Sequence, residues 1–151
     1  MLCIWPPHCL IGSWGHSIQS DVYASLCEWE DQFGFVDYVT KGSNIWTEHY
    51  SAVEADVPDP SDPTTSLNTK LIQTIKDADR ILIAGEASSH CVKWTVTDIA
   101  NNFGEDNIKK FIFLEDASSP VDAPQFRQDA EDFVNAMKAR GMQIARTTDV
   151  F

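Results

Sequence analysis

A short apolar run that leads through a glycine into a turn and a cysteine is the feature that most constrains this chain. Residues 81–84 are Ile-Leu-Ile-Ala, a run suited to a buried strand; Gly85 ends it, and Cys91 then opens a segment with apolar residues at helical spacing. A helix N-terminus favours a thiolate over a thiol, and its free N–H groups can hold an oxyanion. The pattern therefore favours a reactive Cys91, with a buried core cysteine as the alternative interpretation.

Strand-like and helical segments alternate along the chain. The periodicity predicts strands over residues 35–40, 81–84, 111–114 and 143–148, and helices over about 18–31, 69–77, 125–140 and from 91 to an end within 101–104. Strands that alternate with helices and read as nearly continuous apolar runs indicate a parallel sheet covered on both faces. We therefore expect one α/β domain over residues 1–151, with three α/β/α layers.

Composition narrows the classes of function. The chain has 151 residues and a net charge of −12, which argues against nucleic acid or an anionic membrane surface as a partner. No stretch approaches the roughly 18 apolar residues that a membrane span requires. The four cysteines are irregularly spaced and form no C-x-x-C pair, so we expect reduced thiols and a cytoplasmic location. Three prolines within residues 57–64 predict an ordered surface loop or lid.

Polar groups follow several predicted strands, where parallel sheets place their functional residues. Lys41 follows the strand predicted over 35–40, so it could reach the thiol of Cys91 and act as its proton acceptor or cation. The alternative for a lone lysine is a solvated surface charge. Asp116 follows the run 111–114, but an acidic residue there is more often a turn or capping group. No carboxylate in the sequence stands out as a partner for the lysine.

His8 follows two prolines that fix its backbone, and Trp5 is close by. One histidine can be a metal ligand, a base or a buried hydrogen-bonding side chain. The other three histidines are not at ligand spacing from His8, so the sequence by itself favours the last of these roles.

Three separated motifs resemble those of nicotinamidases and other isochorismatase-like cysteine hydrolases. Residues 5–9 resemble a W-P-x-H-C segment, Lys41-Gly42 with residues 48–52 resembles a lysine strand and its K-G…Y-S-A continuation, and residues 85–92 resemble the turn that carries the nucleophile. They occur in family order and, with residues 114–121, span nearly the whole chain. The resemblance implies a Rossmann-like three-layer fold.

The resemblance also implies roles for individual residues. Cys91 matches the nucleophile and Lys41 the lysine of the catalytic triad. The Glu86–Ala87 peptide falls where the family has a cis bond, which turns the Ala87 N–H toward the oxyanion together with the N–H of Cys91. Attack on a small amide such as nicotinamide would release ammonia and leave a thioester, which water hydrolyses.

The same resemblance extends to the substrate pocket. Trp5 and His90 match positions that wall it, and His8 matches a metal-ligand position, so a zinc-like divalent metal is implied. The turn Glu-Ala-Ser-Ser-His over 86–90 differs from the commoner A-T-(E/D)-Y form, which leaves the substrate open.

The chain departs from the family before the first motif. The triad aspartate and a D-x-H pair of metal ligands would precede residue 5, so we expect an N-terminally truncated domain that lacks its first strands and part of its metal ligands. The alternatives are a non-catalytic binding or assembly subunit and, with less support, a redox-active thiol protein. A second copy filling the gap left by the missing strands would give a homo-oligomer.

Overall fold

The computed structural model describes residues 4–149, and the chain divides into two compact units, Met1–Tyr38 and Val39–Phe151. The single domain expected from the sequence stays a prediction, and the two units are described separately. No helix of the described chain is long and apolar enough to cross a membrane.

The first unit is built around helix α1, Ser20–Phe33. The side chain of Gln19 caps its start by accepting hydrogen bonds from the backbone N–H groups of Asp21 and Val22, at 2.8 and 3.0 Å. Gly34 ends the helix with φ +147°, a conformation that favours glycine. The strand predicted over 35–40 is wrong, because this stretch pairs with no strand among the described residues.

The second unit alternates helices and strands. In chain order these elements are α2 (Thr69–Lys76), β1 (Ile81–Ile83), α3 (Cys91–Phe103), β2 (Phe111–Leu114), α4 (Pro124–Ala139) and β3 (Gln143–Ala145). The strands form a parallel sheet in the order β1-β2-β3. The predicted α/β fold, with a parallel sheet flanked by helices, is confirmed.

The core lies between helices α3 and α4 and one face of the sheet. Phe111 and Phe113 point from β2 into it, where Phe103 stacks on Phe111 at 5.2 Å between ring centroids and Phe133 meets Phe113 edge-on at 6.2 Å. Leu82 points to the other face of the sheet and is 53% exposed. The hydrophobic core cluster therefore includes Phe111 and Phe113 on their face of the sheet, while Ile112, on the face of Leu82, is buried outside this cluster.

Residues 43–68 lack strands and helices, apart from one 3-10 turn at Pro63–Thr65. They are nevertheless ordered by contacts with buried groups. The Thr65 side chain is fully buried, and its hydroxyl donates to the Asp62 carbonyl at 2.7 Å and accepts from the Asp59 N–H at 2.8 Å. The structure thus forms an ordered loop where the three prolines predict one.

Candidate active site

The turn between β1 and α3 carries the cysteine. Gly85 has φ +115°, the Glu86–Ala87 peptide bond is cis, and α3 begins at Cys91. The Cys91 side chain is half-buried, so it is neither a fully enclosed core residue nor a fully solvated one. This placement corresponds to the strand, turn and helix start that the sequence predicts.

Two backbone N–H groups of this turn have no acceptor among the described residues. The carbonyl of Ala87 accepts hydrogen bonds from the N–H groups of His90 at 2.9 Å and Val92 at 3.1 Å. The N–H groups of Ala87 and Cys91 donate no hydrogen bond to any part of the chain within 4–149. The N–H of Cys91 lies at the helix start, where a free donor suits a negative charge, and that of Ala87 lies four residues earlier in the turn.

The loop that follows β2 is hydrogen-bonded to the turn between β1 and α3. Gly85 N–H donates to the Ala117 carbonyl and Ser88 N–H to the Ser119 carbonyl, each at 2.9 Å. The Glu86 carboxylate accepts from the Ser119 hydroxyl at 3.0 Å and from its backbone N–H at 3.2 Å. Sequence reasoning missed this role of Glu86 and Ser119, although the family-like motif over 114–121 was a signal that the loop matters.

His90, directly before Cys91, contacts two aromatic rings. Its ring lies 5.6 Å from the Tyr50 ring and 4.7 Å, edge-on, from the Phe126 ring. Ser89 Oγ lies 2.8 Å from His90 Nδ1 and accepts from the N–H of Val121. Burial lowers the pKa of His90 below its usual value, which favours the neutral imidazole.

Lys41 is not at the end of a strand, which corrects the sequence prediction. It lies in an exposed loop, and its Nζ donates to the carbonyl of His49 at 2.7 Å. Within the part of the chain that the structure describes, no hydrogen bond joins Lys41 to Cys91. The segment that holds Lys41 is nevertheless fastened to α3, because Ala52 N–H donates to Thr95 Oγ1 at 3.0 Å.

Asp116 has a structural role. Its carboxylate accepts from the Thr147 N–H at 2.9 Å and the Thr147 hydroxyl at 2.8 Å, and these bonds lower the pKa of Asp116. It therefore fastens the chain after β3, as expected for a turn residue. Lys41 forms no ion pair with a carboxylate among the residues described, so the structure supplies no partner acid for it there.

Trp5 and His8 belong to the first unit. Trp5 is half-buried, whereas His8 is exposed, with its Nδ1 2.7 Å from the Pro6 carbonyl oxygen. That contact would leave Nε2 as the ligating atom. No group of three or more His, Cys, Asp or Glu side chains within residues 4–149 could hold a metal ion. The described residues thus do not form a complete metal site around His8.

A small acidic cavity of about 270 Å³ lies beside α3, and no residue of the turn over 85–90 lines it. Its lining includes Glu54, Asp56 and Asp98. Burial, followed by repulsion from Asp98, raises the pKa of Glu54. Burial and the charge of Asp56 raise the pKa of Asp98, against an opposing hydrogen bond from Ser51. The surroundings of Glu54 and Asp98 therefore disfavour the charged forms of these two side chains.

Solved nicotinamidase and pyrazinamidase structures share this fold. The yeast nicotinamidase Pnc1p bound to the inhibitor nicotinaldehyde is 19% identical, with a TM-score of 0.67 over 95% of this chain and 58% of that one. A nicotinamidase/pyrazinamidase from Acinetobacter baumanii is 20% identical, with a TM-score of 0.65 over 98% of this chain and 61% of that one. The pyrazinamidase of Pyrococcus horikoshii in complex with zinc is 22% identical, with a TM-score of 0.59 over 95% and 63%.

These likenesses show the fold, and the chain spans about three fifths of the length of each of these proteins. No protein-family model matches the sequence, and no curated protein matches it either. The resemblance read from the motifs is therefore matched at the level of three-dimensional structure.

Proposed function

We propose that this chain is a cysteine amidohydrolase of the nicotinamidase type, with Cys91 as the nucleophile. The observation that carries the proposal is the position of the half-buried thiol at the start of α3, beside two backbone N–H groups that have no acceptor within residues 4–149. The likeness to nicotinamidase folds supports the same chemistry.

The reaction follows from that arrangement. The Cys91 thiolate attacks the amide carbonyl carbon and forms a C–S bond, while the carbonyl oxygen becomes an oxyanion between the N–H groups of Ala87 and Cys91. When the tetrahedral intermediate collapses, the C–N bond breaks and the nitrogen leaves as ammonia with the proton taken from the thiol. Water then attacks the thioester, releasing the acid and restoring the thiol.

Lys41 is the proposed carrier of that proton. Its support is positional, because the segment after it is fastened to α3 by the Ala52–Thr95 hydrogen bond and by the contact of the Tyr50 and His90 rings. To reach the thiol, Lys41 must release the carbonyl of His49. Since no carboxylate pairs with Lys41 among the described residues, we expect a slow reaction in this chain alone.

The proposed substrate is a small, flat amide, and nicotinamide is the first to test. The neutral His90 ring with Tyr50 and Phe126 offers an aromatic surface next to the nucleophile in sequence. Trp5 belongs to the other unit, and its place in the substrate pocket stays a prediction from the family resemblance. Nicotinaldehyde, the inhibitor bound to the yeast nicotinamidase, carries an aldehyde where nicotinamide carries a carboxamide, and this likeness supports testing nicotinamide first.

The metal part of the proposal is limited to His8. A zinc-like ion takes four ligands in a structural site or three protein ligands in a catalytic one. His8 could provide one of them, but the described residues supply no complete set. The reaction above therefore uses only groups of this chain. We also propose a cytoplasmic location, because Cys9, Cys27 and Cys91 are free thiols.

Ammonia release from nicotinamide tests the proposal. We expect Cys91→Ala to abolish the release, and Lys41→Met to reduce it by about 10²-fold or more, as for loss of a proton-transfer group. Cys27→Ala is the matched control, because Cys27 is also a half-buried free cysteine but lies in α1. Equal rates for the Cys91→Ala and unchanged proteins would refute the assignment.

The second candidate is a non-catalytic member that keeps the fold for binding or assembly. The bond between Lys41 and His49, in place of a contact with Cys91, favours it. Alkylation by iodoacetamide, mapped by mass spectrometry, separates the two functions. Faster modification of Cys91 than of the exposed Cys9 supports the enzyme, and slower modification supports the non-catalytic member.

A further inference from the structure

A cavity of about 800 Å³ lies among helix α4, strands β2 and β3 and the loop that follows β2. Every residue that lines it belongs to the second unit, and neither Cys91 nor His90 is among them. Its volume falls in the range of small-molecule pockets, roughly 300–1,000 Å³. It also extends beyond the carboxyl end of β2, where open parallel sheets bind their ligands. The cavity is therefore a candidate ligand site in its own right.

Two pairs of neighbouring residues give the cavity an apolar wall. Phe113 and Ile144 are register partners on adjacent strands, and Ala130 and Val134 lie one turn apart on α4. Val134 and Ile144 are half-buried and pack against the hydrophobic core. Pockets for small molecules combine such apolar walls with a few polar groups that orient the ligand. This wall can accept the apolar body of a ligand.

Ser88 supplies a polar group that the protein itself does not use. The residue lines the cavity and is 4% exposed, and its backbone N–H donates to the Ser119 carbonyl at 2.9 Å. Its hydroxyl forms no hydrogen bond within residues 4–149. No fully enclosed side-chain oxygen or nitrogen of the described residues lacks a partner, so the Ser88 hydroxyl must be accessible from outside the protein. It can therefore donate to or accept from a polar atom of a ligand in the cavity.

The charged residues of the lining determine which ligand fits. Asp122 forms an ion pair with Arg127, and Glu115 forms one with Arg146 at 2.9 Å. Glu131 also lines the cavity, but it forms no ion pair with any residue that the structure describes. Arg127 lies one turn before Glu131 on α4, but its guanidinium is bonded to Asp122. The charge that these pairs leave over is therefore the negative charge of Glu131.

We infer that this cavity binds a small organic cation, in which an ammonium group pairs with Glu131 and a flat apolar body lies against the apolar wall. An ammonium group has three donors and no acceptor, so a carboxylate without another partner suits it. An anionic ligand would be repelled by Glu131, and a neutral ligand would leave its charge without a partner. The Ser88 hydroxyl is available to a further polar atom of the ligand.

Three ring compounds of similar size, namely phenethylamine, phenethyl alcohol and phenylacetate, test the charge of the ligand. Each is titrated at neutral pH into the isotopically labelled full chain, and heteronuclear NMR follows the backbone amides. The cationic amine should bind about three- to fivefold more tightly than the neutral alcohol, as for one partly exposed ion pair. The anionic phenylacetate should bind most weakly. The amide signals that shift should be those of the cavity lining, at residues 118–119, 130–135 and 144.

Three variants locate the binding. Glu131→Gln keeps the size of the side chain and should make the affinities for the amine and the alcohol equal. Asp132→Asn is the matched control, because Asp132 is the next residue of α4 but does not line the cavity, and it should keep the preference for the amine. Cys91→Ala should bind the amine as the unchanged protein does, so this test is independent of the proposed reaction. The NMR spectrum of each variant also shows whether its fold is retained.

Four outcomes would overturn the inference. Equal affinity of the unchanged protein for the amine and the alcohol would show that the cavity does not select a cation. An undiminished preference for the amine in Glu131→Gln would mean that another group binds the ammonium. Shifts confined to residues outside the lining would place the ligand elsewhere. A lack of binding by all three compounds up to their solubility limits would show that the cavity is not a ligand site.

Discussion

Phe103 joins the end of the helix that carries Cys91 to the central strand, and its removal tests the packing argument most directly. The side chain is 1% exposed, and its ring stacks on that of Phe111. Replacing it with alanine removes a buried ring and leaves a cavity among α3, β2 and their neighbours. We expect Phe103→Ala to lower the free energy of unfolding by about 3–5 kcal/mol, because large-to-small aromatic substitutions in closed cores cost that much.

Leu82→Ala is the matched control on the opposite face of the sheet. Fully burying a leucine contributes about 2 kcal/mol, and Leu82 is 53% exposed, so its truncation should cost about 1 kcal/mol. Urea unfolding followed by far-UV circular dichroism measures both losses. If Phe103→Ala cost no more than Leu82→Ala, the side of the sheet that we identify as the core would be wrong.

Three other perturbations address the polar groups. Asp98→Asn should raise the free energy of unfolding at neutral pH by up to about 1 kcal/mol and leave it unchanged in acid. The raised pKa of Asp98 means that the folded state binds the proton more tightly, so the stability of the unchanged protein falls as pH rises past the pKa of the unfolded state. Urea unfolding at several pH values measures the difference. The unchanged protein should lose stability as pH falls through 6.5, the usual pKa of histidine, because the lowered pKa of His90 means that the unfolded state binds the proton first. His90→Gln should abolish this loss, and the same urea measurements test it. Ser119→Ala should lower the free energy of unfolding by about 1 kcal/mol or less, because the hydrogen bond from its hydroxyl to Glu86 is exposed. Loss of this bond should also loosen the turn and slow the alkylation of Cys91. Ser119→Thr keeps the hydroxyl donor and should leave the alkylation rate unchanged.

The local pattern of apolar residues was sufficient to predict most helices and strands of the second unit. The run Phe-Ile-Phe-Leu became strand β2 with the predicted limits, Phe111–Leu114, and α4 begins and ends within one residue of its prediction. Helix α4 buries Ala130, Phe133 and Met137 at helical spacing, and β2 buries all four of its residues, as expected for a continuous apolar run, so the local pattern and the tertiary packing agree. The parallel α/β class followed from their order.

The prediction failed where a segment depended on a partner. Residues 35–40 are rich in residues with high strand propensity, yet Phe35 is 95% exposed and no strand of the described chain pairs with this stretch. A strand exists through hydrogen bonds to a neighbour, which its own sequence does not encode. Because of this error, the sequence placed Lys41 at the end of a strand. In the structure it lies in a loop, where its Nζ donates to the carbonyl of His49.

The same distinction applies within the candidate site. The position of Cys91 at the start of a helix could be predicted, because Cys91 and α3 are contiguous in sequence. The free N–H of Ala87 could not be derived from the turn alone, since the turn is fastened by Ser119 through contacts 31 and 33 residues apart in sequence, to Ser88 and Glu86. A nucleophile can be placed by one segment, but an oxyanion site needs two donors held at fixed separation. The loop after β2 is therefore as much a part of the proposed catalytic apparatus as the turn that carries the cysteine.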